Sequence, residues 1–155
     1  MGNRGFTYIS LLFLIAVMGI TVTAAAGVWS TAARREAEEE LLFRGMQIQS
    51  AIGMYYEQSP GAKAYPRALE DLLKDNRYPV AKRYLRRLYE DPFTGKPDWE
   101  PIKAPDGGIM GVRSVSEAEP MKKKNFPREL AGFEDRGSYR DWGFVYVPSR
   151  GGQAT

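Results

Sequence analysis

The chain has 155 residues, 43% of them hydrophobic and 26% charged, with 22 basic against 19 acidic side chains for a formal net charge of +3. That length suits one modest domain, or a domain with an appendage, and the charge balance is too weak to indicate nucleic acid. Cysteine and histidine are both absent, which excludes a disulfide framework, a thiolate nucleophile, a Cys- or His-ligated metal and an imidazole acid or base. Only carboxylates, Lys, Tyr, Ser and Thr remain for chemistry. The acids Glu70, Asp71 and Asp75 fall on the solvent side of an amphipathic segment, so the chain reads as noncatalytic and without a cofactor.

Between Gly5 and Ala33 there is no charged residue. As a helix, Phe6 to Val28 would cross most of a ~30 Å hydrocarbon core, which predicts a single membrane span. Arg4 on one side and Arg34 and Arg35 on the other do not orient it. The small residues Thr23-Ala24-Ala25-Ala26 offer a rival reading as a cleaved secretory signal. Against it stands the continuation of the helical pattern. Ala37, Leu41, Ile48, Ile52 and Tyr55 recur at helical spacing, Leu42 and Met46 broaden the stripe, and Glu36, Glu38, Glu39, Glu40, Arg44, Gln47 and Gln49 fill the other faces. Ser59-Pro60-Gly61 is a clear stop. One helix from about Phe6 to about Glu57 would measure roughly 78 Å, so its first half must lie in lipid or among copies of itself. Gly19, Gly27, Gly45 and Gly53 each weaken a helix by up to ~1 kcal/mol. They imply close packing in lipid or against a sheet, or, for Gly27, a place where the helix can loosen on assembly.

After the break, Ala68 to Asp75 predicts a short amphipathic helix with Leu69, Leu72 and Leu73 inward. Ala81 to Tyr89 reads similarly, with Tyr84, Leu85 and Leu88 apolar and Lys82, Arg83, Arg86 and Arg87 on a solvated or anion-facing side. Asp91-Pro92-Phe93-Thr94-Gly95 is a turn. Strands are expected at Trp99 to Ile102, at Ile109 to Val115 after the hairpin turn Asp106-Gly107-Gly108, and at Trp142 to Val147. Ser116 to Asp141 reads as a long polar connection that includes Lys122-Lys123-Lys124, which a solvated loop explains without a nucleic-acid partner. The expected fold class is α+β: a long N-terminal helix packed on a small antiparallel sheet, with one or two short helices between them.

Arg4-Gly5-Phe6-Thr7-Tyr8-Ile9, opening an apolar helix, resembles the prepilin signal of type IV pilins and type II secretion pseudopilins. Gly19-Ile20, Tyr65-Pro66 and Asp91-Pro92-Phe93-Thr94-Gly95 match further features of that family. The resemblance implies residues 1–5 as a leader cut by a prepilin peptidase between Gly5 and Phe6, with N-methylation of Phe6. It implies residues 6–33 as the transmembrane and assembly half of the helix, and residues 34–155 as a periplasmic pilin-like domain that includes the amphipathic half, 34–58. The partners implied are other pilin or pseudopilin subunits, an inner-membrane assembly platform and membrane lipid. The location implied is the bacterial inner membrane, crossed once. Two departures fall at assembly positions: the family's glutamate is Ser10 here, and its frequent kinking proline is Gly27, which suggests a minor subunit. The family's calcium loop would correspond to Glu134, Asp135 and Asp141, although Arg136 and Arg140 among them favour a salt-bridged loop without metal. The alternative function is a single-pass anchored periplasmic binding module that never polymerises.

Overall fold

The helical stripe is the feature from which the domain is built. A computed structural model describes the backbone of residues 4–148 and, within that span, the side chains of all but residues 4–7 and 17–29. Helix α1 is Arg4–Glu57, followed by β1 Glu100–Lys103, β2 Ile109–Arg113 and β3 Phe144–Val145 in one antiparallel sheet of order β1-β2-β3. The fold class is α+β, with an N-terminal helix and a small three-stranded antiparallel sheet. The chain divides into two units, Met1–Glu36 and Ala37–Thr155.

In the second unit, α1 buries Leu41, Ile48, Ala51, Ile52 and Tyr55, as the 3.6-residue period requires. Met46 is excluded from the stripe and stays 39% exposed. Its expected place is taken by Gly45, because the Phe144 ring lies where a side chain would be. A Cβ on Gly45 would come within 2.4 Å of that ring, and one on Gly53 within 2.7 Å of Tyr146. Both glycines thus do what their expected close packing against a sheet demands. Gln49 Nε2 adds a hydrogen bond of 2.7 Å to the Val145 carbonyl.

The last turn of α1 has no basic residue of its own, so its orphaned carbonyls take donors from the following chain. Arg77 donates to the Tyr55 carbonyl at 3.0 Å, Lys63 to that of Glu57 and Tyr78 to that of Gln58. Arg77 also lies over the Tyr55 ring, 3.5 Å from its centroid.

β1 and β2 form a hairpin with Glu100 opposite Arg113 and a bulge at Ile102/Lys103. β1 is an edge strand, which is why it tolerates Pro101. β3 is much shorter than the expected Trp142 to Val147, since Trp142 closes a 3-10 turn, Tyr139–Asp141, by donating to the Tyr139 carbonyl.

Two expected helices are corrected. Ala68 to Asp75 supplies only a 3-10 turn, Leu69–Leu72, although Leu72 is fully buried and Leu69 and Leu73 pack beside it as anticipated. Ala81 to Tyr89 is not helical. Asp75 N–H donates to the Lys82 carbonyl, and the Tyr84 and Leu85 N–H groups both donate to Leu72, so the donors a helix would need are spent on the preceding segment. Lys82, Arg83, Arg86 and Arg87 would also repel one another at i,i+3 and i,i+4 in a helix.

The connection from Ser116 to Asp141 is likewise more than a polar loop. It contains a second 3-10 turn, Arg128–Phe133, and delivers Leu130, Phe133 and Tyr139 to the core. Phe133 stacks on Trp142 with centroids 5.3 Å apart and planes at 6°, while Phe126 and Tyr139 meet the same indole edge-on. Trp142 is fully buried and its Nε1 has no acceptor among the described residues.

Gly45→Ala should destabilise the protein, because overpacking against the Phe144 ring costs about 1–3 kcal/mol while the gain in helix propensity is at most ~1 kcal/mol. The urea midpoint followed by Trp fluorescence measures it, and a midpoint at or above the parent's would contradict the close approach.

Candidate functional site

Near its N-terminus, α1 exposes a run of mostly apolar residues from 8 to 16. Tyr8, Ile9, Leu11, Leu12, Phe13, Leu14 and Ile15 are each at least half exposed, and the residues from 8 to 16 are exposed on every face of the helix. Covering each large side chain would be favourable by about 1.5–3 kcal/mol, so the segment is suited to contact with lipid or with other apolar helices. Ser10 lies within it, exposed, with an uncharged hydroxyl where the resemblance would place a carboxylate. Among the described residues, no helix is long and apolar enough to cross a membrane. The span expected from Phe6 to Val28 depends on side chains at 17–28 that lie outside the described set, as do those of Gly5, Phe6, Gly19 and Gly27.

The three acids weighed as calcium ligands have separate duties. Glu134 accepts from the Asn125 N–H at 3.1 Å, Asp141 accepts from both the N–H and the hydroxyl of Ser138 at 3.1 Å, and Asp135 occupies a left-handed position, φ 52°, while its N–H donates to the Lys123 carbonyl. Among the described residues no group of three or more acids is placed to hold a metal ion. Arg140 pairs with Glu100 and Glu117, and Arg136 donates to the Gly132 carbonyl, so among the described residues neither arginine forms the expected ion pair with Glu134, Asp135 or Asp141.

Sequence reading missed two buried carboxylates. Glu38, expected on a solvent face, is only 5% exposed. It accepts from the N–H of Met121 at 2.8 Å, from that of Lys122 at 3.1 Å and from the Tyr139 hydroxyl at 2.8 Å. One helix residue therefore fastens the connection from Ser116 to Asp141 at two places, at Met121 and Lys122 near its start and at Tyr139 near its end. The signal was its phase, one turn ahead of Leu41 and on the same face as Gly45 and Ile48. Asp75 is 1% exposed and accepts from Arg77 N–H at 3.0 Å, from its guanidinium at 2.9 and 2.7 Å, and from the Tyr84 hydroxyl at 3.1 Å. The Arg77 hydrogen bond holds the Asp75 carboxyl below the usual carboxylate range, against the opposing effect of burial. Burial, followed by the bond to Asp75, pushes the Tyr84 hydroxyl up to about 12.

A third buried acid, Asp91, anchors the Asp-Pro-aromatic turn. It accepts from the Phe93 N–H at 2.8 Å and from the Ser114 hydroxyl at 2.5 Å, and Phe93 stacks on Tyr139 at 4.2 Å. No family model matches the chain, and no curated protein or solved structure matches it either.

Removing the Glu38 carboxylate leaves two backbone donors and a phenol without their acceptor, so Glu38→Ala should cost about 3 kcal/mol, the scale of hydrogen bonds to a charged group. Amide exchange at Met121 and Lys122 should accelerate well beyond that at Ile109. For Asp75, the native carboxyl titrates below its unfolded value of about 3.9, so its stabilisation is full above that pH and is lost as pH falls through the native value. The stability gap between the parent and Asp75→Asn should therefore be constant near neutrality and close on acidification below about pH 4. Urea titrations at a series of pH values would reveal it.

Proposed function

We propose that this chain is a noncatalytic pilin-like or pseudopilin subunit of a bacterial type II secretion or type IV pilus machine. A prepilin peptidase cuts it between Gly5 and Phe6, Phe6 becomes N-methylated, and the N-terminal half of α1 holds the protein in the inner membrane until it joins other subunits at an assembly platform. The observation that carries this reading is the run of exposed, uncharged residues from 8 to 16, directly after Arg4-Gly5-Phe6, on a helix that continues into the stripe packed on β3. Such a helix needs an apolar surrounding at one end and is covered by its own domain at the other. The α+β order, with an Asp-Pro-Phe-Thr-Gly turn pinned by Asp91 before the sheet, also supports it.

Ser10 narrows the role to a minor or initiating subunit. In the family this chain resembles, a glutamate at that position neutralises the amine of the neighbouring subunit in the apolar filament core, where an unpaired charge costs several kcal/mol. A serine hydroxyl cannot supply that charge. The subunit can still present its own Phe6 amine to a neighbour's glutamate, which suits a first or occasional position.

Gly5→Val should leave a precursor about five residues longer, since the peptidase needs close backbone approach at that position. Intact mass of the membrane-extracted protein decides it, and a mature chain beginning at Gly27 would indicate an ordinary secretory signal. Overproduced alone, the protein should form no filaments, and Ser10→Glu should strengthen self-association, read by cysteine crosslinking along Leu11 to Ala25. Abundant filaments from the unaltered chain would remove the argument from the missing carboxylate.

A further inference from the structure

The segment from Lys74 to Arg87 holds six basic residues and one acid, a net +5 within a chain of net +3. The basic character of the whole protein therefore resides in this segment. Its single acid, Asp75, is buried and committed to Arg77. Lys74, Lys82, Arg83, Arg86 and Arg87 are exposed, and none of them has an ion-pair partner among the described residues.

The backbone explains how they are displayed. Leu85 is buried and Tyr84 is tied to Asp75, so Arg83, Arg86 and Arg87 flank an inserted anchor and face outward. The segment starts beside the last turn of α1, where Tyr78 donates to the Gln58 carbonyl. It then reaches back along the helix as far as Arg44, which lines a recess with Arg87. At its tip, between Lys74 and Lys82, the exposed residues Pro79, Val80 and Ala81 follow the half-buried Tyr78. Val80 is 81% exposed, more than any other large apolar side chain among the described residues.

An ordinary solvated loop would intersperse acids among these cations and would not lead with an apolar tip. An exposed apolar tip that continues into a strip of Lys and Arg without ion-pair partners is instead the arrangement that enters the headgroup boundary of an anionic bilayer: the tip gains apolar contact while the cations meet phosphates. We propose that residues 74–87 form a docking loop for an anionic phospholipid surface, with Val80 entering the interface and Lys74, Lys82, Arg83, Arg86 and Arg87 on the headgroup phosphates. This contact is separate from any made by the N-terminal half of α1, and it does not depend on processing at Gly5.

The test uses the full chain held in phosphatidylcholine nanodiscs, so that its apolar N-terminal half is already covered. Capture of added vesicles is then followed by flotation. Vesicles containing phosphatidylglycerol should be captured and pure phosphatidylcholine vesicles should not, with capture falling as salt rises. Arg83→Gln and Arg86→Gln should each weaken capture by about fivefold, the factor expected for one cation at a charged membrane surface. Val80→Ser should weaken it further at unchanged charge. All three positions are exposed, so unchanged thermal unfolding of each variant is expected, and the salt dependence of the parent tests the charge requirement without any substitution. Equal capture by both vesicle types would overturn the proposal. So would full capture by Val80→Ser combined with displacement by polyglutamate, which would assign the patch to an acidic protein.

Discussion

The separation between α1 and the sheet is set by the absence of side chains at Gly45 and Gly53. Phe144 and Tyr146 fill those two gaps, and Trp99 meets Phe144 edge-on while Phe133 meets it from another side. If the helix stood further off, Phe144 would lose its seat and the stack of Phe133 on Trp142 would lose one wall. A helix of this composition accepts the propensity cost of two glycines because the aromatic contacts they admit are worth more than the turns they weaken.

Regular secondary structure accounts for little of the chain beyond α1. Three strands of four, five and two residues provide few ladder bonds, and buried carboxylates help to hold the irregular backbone alongside turn hydrogen bonds and apolar anchors. Glu38, Asp75 and Asp91 each gather donors from a different irregular stretch: the late connection, the segment after the first 3-10 turn, and the Asp-Pro turn. Each acid accepts at least two hydrogen bonds, which is the condition under which a buried carboxylate is tolerable.

That division explains how far the sequence could be read. Periodicity located the buried face of α1, because burial imposes a repeat, and the turn residues Asp106-Gly107-Gly108 located the hairpin. It failed at Ala81 to Tyr89, where leucines and arginines copy a helical pattern but the donors go to Leu72. It also passed over Phe126, Leu130 and Phe133, whose spacing of four and three lay inside a stretch that looks polar on average. Glu38 was hidden among the four acids Glu36, Glu38, Glu39 and Glu40 and distinguishable only by its phase. Of the assembly positions, Ser10 is placed on an exposed apolar surface, while Gly5, Phe6, Gly19 and Gly27 lie where side chains are not described.

The bonds that close the domain join residues very far apart in the chain. Glu38 and Tyr139 are separated by 101 positions, Gln49 and Val145 by 96. Closing loops of that length is slow, because their entropy is lost before any contact compensates it. During synthesis from the N-terminus, the apolar half of α1 is complete long before its amphipathic half has anything to pack on. The two hydrophobic surfaces of one helix are thus separated in time: the first emerges early, and the second is not fully covered until the last strand has left the ribosome. A chain released early, before Tyr139 and Phe144, would carry the whole helix with neither surface protected by its own domain, which makes truncation near the C-terminus an aggregation hazard out of proportion to the few residues lost.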